Sequence, residues 1–181
     1  MSDIIVSQMD IQNLKIIRQN IIKFMIYAAN KYASNPGILL DIAPQIHEGA
    51  RPYFLESITV ETFDINPDSG CTYIGDICEY NSFLKNSSFD YIVCTEVLEH
   101  TLQPFKAVEE IWRIIKPKGI LFISVPFNFR IHGPLPDCWR FTEYGLRVLL
   151  QNFSILELNS IETPERKLMP IHYTVVAQKQ S

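Results

Sequence analysis

Apolar positions along the chain follow two periods. From about residue 10 to 33, Leu14, Ile17, Ile21, Met25, Ala28 and Tyr32 recur at helical spacing, which predicts an amphipathic helix ended by Pro36-Gly37. Beyond it the apolar residues come in short runs, too short for helices and suited to buried strands: 38–42, 57–63, 71–74, 91–94, 120–125, 153–160 and 171–178. Between the fourth and fifth runs, Pro104 suits a first helical turn, and Val108, Ile111, Trp112 and Ile115 share one face. Glu109 and Arg113 stand at i,i+4, Lys116 favours the helix end, and Lys116-Pro117-Lys118-Gly119 stops it. A crossover of this length joins parallel neighbours, right-handed. Thr142 is a good N-cap for a further helix with Leu146, Leu149 and Leu150 as its apolar face. Only IETPERKLMP separates the last two runs, too little for a helical crossover, so that pair is expected to be antiparallel. The expectation is an α/β chain with a seven-stranded, mostly parallel sheet, helices on both faces and an antiparallel last strand.

Composition narrows the partners. With 181 residues the prior is one domain, residues 1–36 forming the N-terminal helix and 37–181 the α/β core. Sixteen basic and twenty acidic residues give a net charge of −4 without a Lys/Arg run, so neither a nucleic-acid nor a membrane-surface footprint is expected. MSDIIVSQMD has no basic region ahead of an apolar core, and the most apolar window, 24–29, is too short to span a bilayer. Cys71, Cys78, Cys94 and Cys138 have no CxxC spacing, which suggests reduced thiols and a cytoplasmic protein. Nor do the histidines show metal-ligand spacing, so no metal is expected.

The run VLEHTLQPFKAVEEIWRIIKPKGILFISVP, beginning at Val97, resembles the fourth-strand to fifth-strand unit of the class I S-adenosylmethionine-dependent methyltransferases. Lys116-Pro117-Lys118-Gly119 stands where that family has a Lys-Pro-Gly-Gly-like turn. The resemblance implies a Rossmann-like sheet with S-adenosyl-L-methionine as cofactor. It also offers a second reading for the first helix: a lid over the ligand rather than a helix packed on the sheet. After Pro126 the segment with His132, Pro136, Asp137, Cys138, Trp139, Arg140, Phe141 and Thr142 is similar to a subset acting on sugars and other small metabolites, with Cys138 in place of a tyrosine.

Cofactor positions follow from the resemblance. The first strand ends at Asp41, where the family continues acidic-x-Gly-x-Gly-x-Gly. Here Ala43, Gln45 and His47 replace the glycines and only Gly49 follows nearby. Glycine serves in such a loop through close approach and left-handed angles. Missing glycines also argue against a dinucleotide, whose pyrophosphate needs a cradle. Asp64 lies 23 residues after Asp41 (positions 41 and 64), which suits an acceptor for ribose hydroxyls; the alternative is a turn aspartate in DINPDSG. By the resemblance, Ile65 lies near the adenine, Asp76 accepts from its amino group and the Ile77 N–H meets the ring. Thr95 and Glu96, with Glu99 and His100, lie just past the fourth strand, where open α/β sheets bind ligands.

Methyl transfer to oxygen or nitrogen needs an aligned nucleophile and, for a hydroxyl, removal of a proton. His132, in the loop expected to wall the acceptor, is the first candidate base, His100 the second; each has a structural alternative, a loop contact and a junction hydrogen bond. Arg140 suits a carboxylate or phosphate on the acceptor, or a pairing with Asp137 that holds the loop. Trp139 is a substrate stacker or a loop anchor. The functional expectation is a small-molecule methyltransferase; the alternative is a non-catalytic binding or partner subunit that keeps the fold. A homodimer is one option for an oligomeric state the sequence leaves undecided.

Overall fold

The computed structural model describes residues 6–44 and 49–181. Helix α1 (Gln8–Tyr32) precedes β1 (Gly37–Ile42), β2 (Ile58–Asp64), β3 (Tyr73–Ile74) and β4 (Phe89–Thr95). Then come α2 (Pro104–Ile114), β5 (Ile115–Pro126), α3 (Glu143–Leu149), β6 (Phe153–Thr163) and β7 (Arg166–Lys179). The strands form one seven-stranded sheet in the order β3-β2-β1-β4-β5-β7-β6. β7 runs antiparallel to both neighbours; every other pairing is parallel. A seven-stranded sheet with a reversed last strand is what the apolar runs predict.

Both faces of the sheet are buried, which is why its strands read as continuous apolar runs. On one face Leu40, Ile42, Ile92, Leu121 and Ile123 pack under α2 and α3 through Ala107, Val108, Ile111, Leu146 and Leu149. On the other, Leu39, Tyr91, Val93, Ile120 and Phe122 pack under α1 through Phe24, Met25, Ala28 and Ala29. Ser7 caps α1 by accepting the Asp10 N–H at 3.1 Å. Further ties hold the helix along its length. Asn13 donates to the Asn128 carbonyl (2.9 Å), while Lys31 and the hydroxyls of Tyr27 and Tyr32 converge on Glu157 Oε1.

Several details depart from the sequence reading. The buried side of α1 is rotated towards Phe24 and Ala29, leaving Leu14 exposed. Arg113 pairs with Glu110 at 2.6 Å rather than with Glu109, because Glu110 is buried beside Asn81 and can be reached by the same guanidinium. Trp112 is half-exposed and carries the Lys179 ammonium 4.0 Å from its ring centroid. β5 begins at Ile115, before the expected stop, since Ile115 still pairs with Phe89 and the chain then shifts register, with Lys118 in the left-handed region. The connection between the last strands is itself mostly strand, leaving only Pro164 and Glu165 to turn.

Phe122 sits at the centre of the α1 face, fully buried, its ring 6.5 Å from Phe24 and 5.8 Å from Phe54. Truncating such a residue removes transfer energy and leaves a cavity. Phe122→Ala is expected to lower unfolding free energy by about 3–5 kcal/mol, measured by denaturant titration. A loss below about 1 kcal/mol would mean that α1 is not held by this contact.

Candidate active site

Parallel pairing brings the carboxyl ends of β1 to β5 to one edge of the sheet, and the charged loop residues follow from there. Asp41, paired with Thr62 and Val93, is buried and accepts the Ala50 N–H at 2.6 Å. Burial raises its pKa from 3.8 to about 6, against the opposing Ala50 hydrogen bond. Ala43 stands in the left-handed region at φ 53°, the conformation for which a glycine is the usual residue. Gln45 and His47 lie outside the described residues. Asp64 closes β2; its Oδ1 accepts the Asn66 N–H at 2.8 Å, the local turn that is one of its two readings, while Oδ2 takes no hydrogen bond among the described residues. Ile65 beside it is 67% exposed. Asp76 accepts the Cys78 N–H at 2.8 Å after the tight turn at Gly75, where a Cβ would strike Asn81. Ile77 turns its side chain into the core. Thr95 ends β4 opposite Ser124, and Glu96 turns away at φ 54°.

The loop after β5 folds back onto this edge. The Glu99 carbonyl accepts the N–H groups of Cys138 (2.7 Å) and Trp139 (3.1 Å), and the Trp139 indole donates to the Thr101 carbonyl at 2.8 Å. Arg140 grips Asp137 with both terminal nitrogens, at 2.5 and 2.7 Å, and donates to the carbonyls of Phe129, Arg130 and Trp139. The loop-holding reading of Arg140 is therefore the one its geometry meets, and Trp139 anchors the same loop. Burial acts to raise the Asp137 pKa, but the Arg140 hydrogen bonds and the His132 backbone N–H outweigh it and hold the carboxyl down at about 2.

This fold-back assembles a cluster that no spacing announces. Glu99 is fully buried and neither carboxylate oxygen has a hydrogen-bond partner among the described residues. His100 Nε2 lies 3.8 Å and His132 Nε2 3.9 Å from the same Glu99 oxygen. The two imidazoles meet edge to face with centroids 4.8 Å apart. Their other nitrogens are engaged: His100 Nδ1 with the Pro136 carbonyl at 2.9 Å, His132 Nδ1 with the Arg130 carbonyl at 3.3 Å, with Asp137 Oδ2 3.0 Å away. Burial pushes the Glu99 pKa well above the usual carboxylate range, and the Glu96 charge adds to it.

A second network was not legible in the sequence. Glu96 Oε1 accepts from Ser124 Oγ (2.8 Å) and contacts His172 Nε2 (2.7 Å), and His172 Nδ1 meets Asn20 of α1 at 2.8 Å. His172 is fully buried mid-sheet, 76 positions from its carboxylate, and only the strand order of the fold brings them together.

Seven strands in this order, a reversed β7 and polar loops gathered at the carboxyl edge define a class I methyltransferase fold. Residues 38–123 match the sequence model of the family described as a methyltransferase domain. Residues 38–123 thus resemble a methyltransferase domain in sequence, and the fold is that of the class I methyltransferases. Over 85 residues the chain is 31% identical to the ubiquinone biosynthesis O-methyltransferase of Xanthomonas oryzae pv. oryzae, an alignment covering 47% of this chain and 31% of that one. The chain spans 31% or less of the length of the curated relatives it matches. A SAM-dependent methyltransferase of Methanosarcina mazei superposes with a TM-score of 0.66 at 19% identity, covering 83% of this chain and 96% of that one. The 1,6-didemethyltoxoflavin-N1-methyltransferase of Burkholderia thailandensis, solved with its substrate and S-adenosylhomocysteine, superposes with a TM-score of 0.63 at 17% identity over 99% and 93% of the two chains. At these identities the structural likeness is one of fold. No helix among the described residues is long and apolar enough to cross a membrane.

Asp41 generates a pH prediction. Its folded pKa, about 6, lies above the ordinary 3.8, so the native chain binds the proton more tightly than the unfolded chain. Stability is therefore full below the ordinary value and declines as pH rises through about 6. The two-unit difference corresponds to about 3 kcal/mol. Denaturant titrations of wild type and Asp41→Asn across that interval should show the wild type losing about this much relative to the variant, whose amide oxygen can keep the Ala50 hydrogen bond. Parallel profiles would mean the carboxylate is not desolvated in the native state.

Proposed function

We propose that this chain is an S-adenosyl-L-methionine-dependent methyltransferase acting on an oxygen or nitrogen of a small-molecule acceptor, such as a sugar or a natural-product intermediate, in the cytoplasm. One observation carries the reading. Asp41, Asp64 and Asp76 end or follow three successive strands at one sheet edge, and beside them lie Thr95, Glu96 and the acceptor-side histidines. This donor set suits a nucleoside with a charged amino-acid tail and no phosphate. Asp64 Oδ2, without a hydrogen bond among the described residues, and the exposed Ile65 next to it fit a ribose and an adenine edge. Asp76 and the Ile77 N–H would take the adenine; Asp41 and Ala43, with Thr95 and Glu96, would border the methionine end. The family match and the fold neighbours support the same cofactor.

When bound, the cofactor supplies an electrophilic methyl group on sulfur. The protein's task is to align the acceptor and take its proton. His132, held by Asp137 at its backbone N–H and by the Arg130 carbonyl at Nδ1, and His100, oriented by the Pro136 carbonyl, both turn Nε2 towards the space beside Glu99. They are the groups available to activate an acceptor walled by the 127–142 loop. Arg140 and Trp139 shape that wall by holding the loop.

Two measurements test the reading. Calorimetric titration with S-adenosylhomocysteine should show binding, weakened by Asp64→Ala about ten- to a hundredfold, the loss of a charged acceptor for two hydroxyls. Unchanged affinity in the variant removes the ribose assignment, and no binding by the wild type favours a partner subunit that keeps the fold. With an acceptor recovered by screening hydroxyl and amine compounds for S-adenosylhomocysteine release, His132→Ala should lower kcat by about 10²–10⁴-fold at nearly constant cofactor affinity. Turnover within about threefold of wild type would exclude His132 from acceptor activation.

A further inference from the structure

We infer that Glu99, His100 and His132 form a binding site for one zinc-class divalent cation at the acceptor side of the sheet edge. The ligand atoms of the three residues lie within 4.8 Å of one another. Both Nε2 atoms stand 3.8–3.9 Å from one Glu99 oxygen. Tetrahedral coordination with bonds near 2.1 Å separates ligand atoms by about 3.4 Å, so closure draws each histidine about half an ångström towards Glu99 and brings the two imidazoles together by up to about 1.4 Å.

Three features besides proximity single this cluster out. Glu99 is fully buried, and neither of its oxygens has a hydrogen-bond partner among the described residues. A buried carboxylate without partners is costly, and a cation between it and two imidazoles removes that cost. Both imidazoles are also preset as ligands. Nδ1–H of His132 can donate to the Arg130 carbonyl at 3.3 Å, with Asp137 beside it, and Nδ1–H of His100 to the Pro136 carbonyl, leaving the Nε2 lone pairs directed inward. Asp137 is fixed in turn by two nitrogens of Arg140. Supports of this kind behind each histidine are what metal centres build, and a pair of loop histidines held only for packing would not need inward lone pairs.

Two imidazoles and one carboxylate select a borderline cation over magnesium or calcium, which favour all-oxygen sets. Three protein ligands leave a coordination position open. His132 belongs to the 127–142 loop that the proposed function sets around the acceptor, so the open position would face it. A cation there lowers the pKa of a coordinated hydroxyl, whose proton leaves to water; the oxygen then forms its bond to the methyl carbon as the carbon–sulfur bond breaks. That last role rests on the methyltransferase reading above, whereas the cation site itself does not. His132 then acts as a ligand that activates the acceptor rather than as a lone base.

The test is equilibrium dialysis of the full chain, stripped with EDTA, against zinc chloride, with bound metal counted per chain. Cobalt(II) serves as a second probe through its visible absorption, and magnesium as the competitor. S-adenosylhomocysteine titration is run on the same preparations. One zinc per chain is expected, and cobalt added to the stripped chain should give tetrahedral-type bands that zinc abolishes and excess magnesium does not. Glu99→Gln and His132→Ala should each weaken zinc at least tenfold and leave S-adenosylhomocysteine affinity within threefold. Should His132→Ala fail to fold, the isosteric Glu99→Gln carries the comparison alone. Absence of zinc uptake by a wild type that binds S-adenosylhomocysteine overturns the cation site and leaves the methyltransferase reading intact. Zinc bound at one per chain without S-adenosylhomocysteine binding sustains the site and overturns that reading instead. Uptake unaffected by Glu99→Gln overturns the assignment of these ligands.

Discussion

The pairing of β4 with β5 is the constraint on which the remaining structure depends. From Tyr91↔Ile120 to Thr95↔Ser124 the two strands run in unbroken parallel register, and nearly every residue between is buried. Such a pair has no face to offer water, so it obliges helices to cover both sides. α2 and α3 cover one and α1 the other. The register also sets where each strand ends. Glu96 N–H reaches the Ser124 carbonyl at 3.0 Å, and there the chain leaves the sheet with Glu96 in a left-handed conformation. Glu99 and His100 therefore emerge beside the point at which β5 releases the 127–142 loop.

That loop leaves Ile131, Leu135 and part of Trp139 exposed, and its middle is held by polar contacts. The Asp137–Arg140 pair is the centre of them, since it orients His132, gathers three backbone carbonyls and keeps its own charge in partly buried surroundings. Exposed ion pairs contribute little to stability, but one with this many additional hydrogen bonds specifies a conformation. The conformation in question is the one that aims two imidazoles at a buried carboxylate.

The N-terminal helix contributes through geometry of the same kind. It lies along the sheet under its own apolar contacts, yet its polar side reaches the working edge through Asn13 and, by way of His172, through Asn20 to Glu96. Packing of the helix and the position of Glu96 are thus physically linked by a buried imidazole.

Strand positions, the helix over 104–114 and the reversal of the last strand were legible in the chain because they rest on local periodicity and on connection length, which tertiary contacts here do not override. The carboxylates at the ends of β1 and β2 and just after β3 were legible for the same reason, since each sits at a fixed offset from an apolar run. Partner choice was not. Arg113 takes Glu110 over Glu109, Glu96 takes His172 from 76 positions away, and Glu99 meets His132 from another loop. Such pairs depend on which strands lie side by side and which way a loop folds back, and nothing in one segment encodes its distance from another. The sequence by itself determined the sheet, its covering helices and the edge at which the carboxylates gather. Only the tertiary structure decided which of the residues at that edge touch, because contact between distant segments is set by sheet order and burial rather than by spacing.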